Sequence, residues 1–247
     1  MKSNWAKEFY KMQFGNMSSI DTSYYEEQAK EILEQMGKPI DSMLELGAWD
    51  GSLARAISKD VSRITTVELV KEMTEAAEKR NPANINTIHG SFYDVELSDK
   101  FDAIIYIDGF GVGTDDDQLK LLKNIEQWLD DDGCALIDIY QPEHWKRADG
   151  IEMYPDPKNH PDIMRRYSFD HVQNIMMDTW WHKDDAGLKQ TQYLKCYTAE
   201  EIHRLCERAG LKIAGYFPNG AMDYENMRYY ENASLEECMS YRIKVIK

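Results

Sequence analysis

The sequence predicts an α/β fold, and three observations carry that reading. Short apolar runs alternate with helical stretches from about residue 40 to residue 140. A glycine turn, Gly47-Ala48-Trp49-Asp50-Gly51, separates the first apolar run from the helix that follows it. The second run, Ile64-Thr65-Thr66-Val67, ends on a carboxylate, Glu68. Glu68 stands about twenty residues beyond Gly47, the length of one strand–helix–strand passage. Glycines without a Cβ let the backbone approach a ligand, and a terminal carboxylate accepts hydrogen bonds from both hydroxyls of a ribose. The parts describe a nucleoside pocket at the carboxyl end of a parallel sheet.

Each element follows from local pattern. Residues 1–20 are rich in Met and aromatic residues (Trp5, Phe9, Tyr10, Met12, Phe14, Met17) with no clean period. A helix is predicted from Ser23 to Met36, stopped by Gly37 and Pro39. Strands are predicted at Ser42–Leu46, Ile64–Glu68, Ile85–His89, Phe101–Asp108 and Cys134–Tyr140. The helices between them start at Ser52, Glu72 and Asp115, the last capped by Thr114. Asp130-Asp131-Asp132-Gly133 reads as a turn before the fifth strand, which is apolar and continuous, as a central parallel strand should be. From Tyr140 the rhythm changes. Residues 141–197 hold four prolines and many aromatics, with antiparallel strands expected at Tyr167–Trp181 and Lys189–Cys196. Thr198-x-x-Glu201 is a capping box that opens a further helix. Strands at Leu211–Tyr216 and Met239–Ile246 complete the chain. The expected organisation is an N-terminal helical lid (1–40), a nucleoside-binding core (41–142), an inserted cap (143–197) and a C-terminal completion of the sheet (198–247).

The stretch Glu45-x-Gly47-x-x-x-Gly51, with Glu68 after the second strand, resembles motif I and the ribose acid of the class I S-adenosylmethionine-dependent methyltransferases. The chain departs from that family at Trp49, where a middle glycine is usual. It lacks the G-x-G-x-x-G of nicotinamide-dependent oxidoreductases. The resemblance spans about residues 40–140 and 198–247. It implies a Rossmann-like sheet of seven strands, the last one antiparallel, flanked by helices, with the aromatic-rich cap inserted. It also implies S-adenosylmethionine as cofactor and S-adenosylhomocysteine as product. Glu45, Gly47, Ala48, Gly51 and Glu68 fall on the donor motif. Ser91 occupies the place of an Asp that meets the adenine amino group, and Phe92 either packs on the adenine or belongs to the core. Asp108, ending the fourth strand, is placed to contact the donor's ammonium or to steer an acceptor amine.

Methyl transfer is an in-line displacement that needs alignment and, for some acceptors, removal of a proton. His144 is the expected general base, because its ordinary pKa lies near neutrality. Tyr140 is a second proton acceptor or an orienting hydroxyl. No metal-ligand set stands out, and Asp115-Asp116-Asp117 reads as a helix N-terminal acid cluster. The cap aromatics, including Tyr167, Phe169, Trp180, Trp181 and Tyr193, suit a planar or apolar acceptor or a cation–π contact with an amine.

Composition narrows the acceptor. The net charge is −15, from 44 acidic against 29 basic residues, so no nucleic acid is expected as partner. The fourth strand is not followed by the Pro-Pro motif of base-modifying enzymes. The four cysteines are widely spaced and read as buried thiols rather than a zinc or disulfide framework. No apolar run reaches the ~20 residues of a membrane helix, so a cytoplasmic monomer or homodimer with a small-molecule acceptor is expected. Transfer to N or O stays open, as do a protein, peptide or RNA acceptor and a non-catalytic nucleoside-binding role.

Overall fold

Trp5, Phe9 and Met12 recur at helical spacing. In the computed structural model, which describes residues 4–17 and 20–247, helix α1 (Asn4–Asn16) turns them onto one face. Phe9 is fully buried against Trp180 and Ile163, with Trp5 and Met12 beside it. This period was hidden in the sequence by the aromatic residues on the other face. Residues 1–3, 18 and 19 of the expected lid lie outside the described residues. Helix α2 (Thr22–Met36) starts where Asp21 accepts a hydrogen bond from the Ser23 amide, and it ends at a left-handed Gly37.

The core then alternates: β1 (Ser42–Leu46), α3 (Ser52–Ile57), β2 (Arg63–Glu68), α4 (Lys71–Glu78), β3 (Ile85–His89), β4 (Phe101–Tyr106), α5 (Asp115–Trp128) and β5 (Leu129–Tyr140). Thr114 and Asp117 form a capping box at the head of α5, which accounts for the acids there. A short helix, α6 (Pro142–Arg147), follows β5. The strands β6 (Glu152–Met153), β7 (Ile163–Asp170), β8 (Ile175–His182) and β9 (Asp185–Lys195) form a separate antiparallel sheet. The chain closes with α7 (Ala199–Arg208), β10 (Lys212–Pro218), a hairpin of β11 (Ala221–Asp223) and β12 (Arg228–Tyr230), and β13 (Ser240–Ile246).

The main sheet has seven strands in the order β10-β13-β5-β4-β1-β2-β3. β1 to β5 run parallel, and β13 is antiparallel to both β5 and β10. One apolar layer, with Leu44, Ile104, Leu121, Ile125 and Ile137, packs α5 and α7 against one face. The other, with Ile32, Met43, Ile57, Ile105 and Leu136, packs α2 and α3 against the opposite face. All four cysteines are free and buried.

Two expected boundaries are corrected. Asp130–Gly133 is not a turn before β5 but a bulge inside it. Pairing with β4 jumps from Phe101–Leu129 to Ala103–Cys134, and the acids project outward. The stretch Tyr167–Trp181 is two strands, not one. Asp170 Oδ1 accepts from the Val172 and Gln173 amides, and Asn174 takes a left-handed conformation, so the chain reverses there. The inserted sheet joins the core at the β4–α5 loop. Val112 bridges Leu194, and the Lys195 amide donates to the Gly111 carbonyl at 2.9 Å.

Candidate active site

The strand order reverses at β1, whose neighbours are β2 and β4. Loops leaving β1 and β4 therefore diverge, and a crevice opens at their carboxyl ends. A cavity of about 2120 Å³ lies there. Single-ligand pockets are usually ~300–1,000 Å³, so this one has room for two reactants. Its roof includes α1, through Ala6, Tyr10, Gln13 and Phe14, and the start of α2, through Tyr24 and Tyr25.

At one end lies the β1 turn. The Gly47 and Ala48 amides both donate to the Val67 carbonyl, so the turn leans on β2. Gly47 has φ +70°, a left-handed backbone that a side chain rarely adopts. Trp49 has φ +52° and so takes the left-handed turn with a side chain. Its ring meets Phe14 of α1 edge-on, with centroids 5.5 Å apart. The Glu68 carboxylate receives the Trp49 amide at 2.9 Å and the Val70 amide at 2.8 Å. Each carboxylate oxygen keeps a lone pair free. Burial pushes Glu68 up to about 7, partly offset by those backbone donors.

Glu45, on β1, is buried and lines the same cavity. Its Oε2 has no hydrogen-bond partner among the described residues. Burial first, then the neighbouring Glu68 and Asp50 charges, push it up to about 8. A buried carboxylate without a partner is costly, and a cation or donor entering the cavity would relieve that cost. Ser91 and Phe92 also line this end, and Phe92 packs on Tyr106 at 5.0 Å. Gly51 does not reach the cavity wall. It holds φ +76° at the head of α3, and a Cβ there would come within 3.1 Å of Ala77, so it serves the turn and its packing.

The other end is built by β4, β5 and the inserted sheet. Asp108 follows β4 with φ +55°. It is open to the cavity yet enclosed by protein, and that enclosure pushes its carboxyl up to about 6. The Tyr140 hydroxyl donates to Asp108 Oδ1. Tyr140 titrates well above the ordinary tyrosine range, because it is buried beside that carboxylate. Its hydroxyl keeps its proton and donates its hydrogen bond to that carboxylate. Behind this pair, Asp138 receives the Arg242 guanidinium at 2.7 and 3.3 Å.

His144 is not brought to the cavity. It is buried under Trp145 and Tyr224, with Nδ1 3.3 Å from the Glu237 carbonyl. Burial drives its pKa down to about 4, and its Nε2 has no hydrogen-bond partner among the described residues. The expected role of general base has no geometric support. Trp180 and Trp181 likewise pack inside the inserted sheet, under Phe9 and Lys189 respectively. The wall on that side is instead Trp145, Arg165, Met176 and Gln192.

Sequence reasoning missed Tyr10, Asp138, Arg165 and Gln192. One signal was available: Asp138 is an acid inside the otherwise apolar run Ala135–Ile139. An ion in a central strand is retained only when it is paired.

A seven-stranded sheet with this order and an antiparallel β13, a left-handed turn after β1 and a carboxylate closing β2 define a nucleoside-binding methyltransferase fold. The match to a family model agrees: residues 4–214 match the family described as "Methyltransferase domain". The chain belongs to that family, and its cofactor is S-adenosylmethionine. Among solved structures, it is similar to an S-adenosylmethionine-dependent methyltransferase from Clostridium acetobutylicum. The TM-score is 0.70 at 16% identity, over 92% of each chain. It is also similar to CalS10, an amino pentose methyltransferase from Micromonospora echinaspora, with S-adenosylmethionine bound. There the TM-score is 0.66 at 15% identity, over 96% of this chain and 94% of that one. A curated relative, a cypemycin N-terminal methyltransferase from Streptomyces sp, is 24% identical over 118 residues. That match covers 46% of this chain and spans about half (48%) of the relative's length. Among the described residues, no helix is long and apolar enough to cross a membrane.

Proposed function

We propose that the protein transfers a methyl group from S-adenosylmethionine to the nitrogen of a small-molecule amine. S-adenosylmethionine supplies an electrophilic methyl on a positively charged sulfur. Glu68 would receive its ribose hydroxyls, and Glu45, with its unpartnered oxygen, would take its ammonium. Gly47 and Ala48 would give the close backbone approach, Ser91 and Phe92 the adenine contacts, and Gly51 would hold the turn in shape.

The observation that carries the choice of nitrogen is Asp108. An enclosed carboxylate facing the cavity, held by Tyr140, suits an acceptor that arrives as an ammonium and must lose a proton before it attacks. Asp108 pairs with the ammonium, takes the proton and leaves a neutral lone pair. Tyr140 fixes the carboxylate and stays protonated. An aliphatic alcohol holds its proton far more tightly than an ammonium does, so a carboxylate such as Asp108 suits it less. CalS10 is named for an amino pentose and the cypemycin enzyme for an N-terminus, which supports an amine.

The test is S-adenosylhomocysteine release with matched panels of primary amines and phenols. Turnover of amines, lowered ~10²–10⁴-fold in Asp108→Asn with donor affinity kept, is the expected result. Turnover of phenols alone, or no loss in Asp108→Asn, overturns the reading.

A further inference from the structure

Arg165 sits on β7, on the cavity wall formed by the inserted sheet. Its fork is held from behind. Nε and Nη2 each donate to Asp178 at 2.8 Å, and Asp178 also receives the Trp180 indole at 3.0 Å. Asp178 is fully buried. The guanidinium lies 4.4 Å from the Tyr167 ring centroid and 5.4 Å from that of Trp180. Three residues therefore fix its plane. Nη1 makes no hydrogen bond among the described residues. The side chain is 23% exposed, and it borders the cavity.

A guanidinium needed only to neutralise Asp178 could bury its whole fork. This one keeps a rigid pair of N–H donors beside the cavity that Asp108 also lines. Its charge is paired with Asp178 and also acts on Asp108. Asp108 and Asp138 are near enough to act on one another electrostatically, as are Asp108 and Asp178. An anion at Nη1 would meet that acidic surround, whereas a neutral oxygen would not. Gln192 narrows the same wall and is fixed by donating to the Tyr10 hydroxyl at 2.9 Å.

We propose that Arg165 Nη1 is a specificity-determining donor for a neutral oxygen, a hydroxyl or carbonyl, on the acceptor. The acceptor is then an amino alcohol or amino ketone, its nitrogen at Asp108 and its oxygen at Arg165. This rests on the amine reading and adds the second anchor. It predicts discrimination among amines of one size, because a site built to hydrogen-bond an oxygen leaves its donors unpaired when the oxygen is missing.

The experiment titrates four probes into the complex with S-adenosylhomocysteine: cyclohexylamine, 3- and 4-aminocyclohexanol, and 4-aminocyclohexanecarboxylate. At least one aminocyclohexanol should bind ~10-fold or more tightly than cyclohexylamine, and the carboxylate more weakly than either alcohol. In Arg165→Lys, which keeps the charge opposite Asp178 but removes the fork, the alcohol's advantage should vanish. Cyclohexylamine and S-adenosylhomocysteine affinities should stay unchanged, which a loss of fold would not allow. Equal binding of cyclohexylamine and both alcohols, or preference for the carboxylate, overturns the Arg165 assignment and leaves the amine reading standing. No binding by any probe to the folded, product-bound protein overturns both.

Discussion

A carboxylate buried away from water holds its proton tightly, and Glu45 and Glu68 are such groups at the proposed donor end, Glu68 despite its two backbone donors. Both titrate above the ordinary glutamate value, at about 8 and about 7. Their folded pKa values exceed the unfolded ones, so their stabilising contribution is full below about pH 4.5 and is lost as pH rises through 7 to 8. The free protein should therefore lose thermal stability between pH 5 and 8. A cationic donor favours the ionised carboxylates, so donor binding near pH 7 should release protons and tighten as pH rises, levelling off above about 8. Calorimetry in buffers of different ionisation enthalpy reads this directly. Heats that do not depend on buffer, with affinity flat from pH 6 to 8.5, would contradict it. The β1 turn and the carboxylate that closes β2 were legible in the sequence because motif spacing reports backbone geometry. The acceptor end was not. His144 drew attention by its ordinary pKa, but burial under Trp145 and Tyr224 removes both its charge and its access. Asp108 gains its raised pKa from an enclosure that no local pattern records.

At the scale of elements, α1 links the inserted sheet to the donor turn. Phe9 anchors it in the Trp180 cluster, and Phe14 touches Trp49. Left-handed conformations cost a non-glycine residue roughly 1–2 kcal/mol. Trp49 carries that strain, and the edge-on contact with Phe14 returns ~0.5–1.5 kcal/mol of it. Phe14→Ala should therefore leave the fold intact and speed donor dissociation about 2- to 12-fold, measured by stopped-flow fluorescence. An unchanged off-rate would show that α1 does not hold the donor. Most strands and helices were readable from period and capping. The N-terminal helix was not, because its apolar residues fall on two flanks: Trp5, Phe9 and Met12 pack on the inserted sheet, while Ala6, Tyr10 and Phe14 line the cavity.

The whole molecule is a core sheet and an inserted sheet that share one cavity, and they join at Gly111 and Lys195. Gly111 has φ +116°, and a Cβ there would stand 2.4 Å from the Lys195 carbonyl oxygen. Gly111→Ala should push the inserted sheet away from the core. The acceptor's KM should rise, while donor affinity, set by β1 and β2, should hold. Loss of donor binding in a folded variant would mean that the two ends are not separable. Arg242 ties the far edge together by pairing with Asp138 across β13 and β5 and reaching Gln35 on α2 at 3.0 Å. Removing one member of a buried pair strands the other charge, so Arg242→Met should cost ~3–5 kcal/mol in denaturant unfolding. A loss below ~1 kcal/mol would mean that Asp138 is not stranded without a partner. This pairing joins residues more than a hundred positions apart, and single-sequence pattern carries no trace of such a distance.

The role of Glu68 in donor binding is read most directly by calorimetric titration of S-adenosylmethionine and S-adenosylhomocysteine into the wild type and Glu68→Ala. Both ligands should bind the wild type at one site. Both should weaken by ~1–3 kcal/mol, about 5- to 150-fold, in the variant, since a charge-assisted hydrogen bond and the anchor of the Trp49 amide are lost together. Undiminished binding to a folded Glu68→Ala protein would place the donor elsewhere and contradict the account.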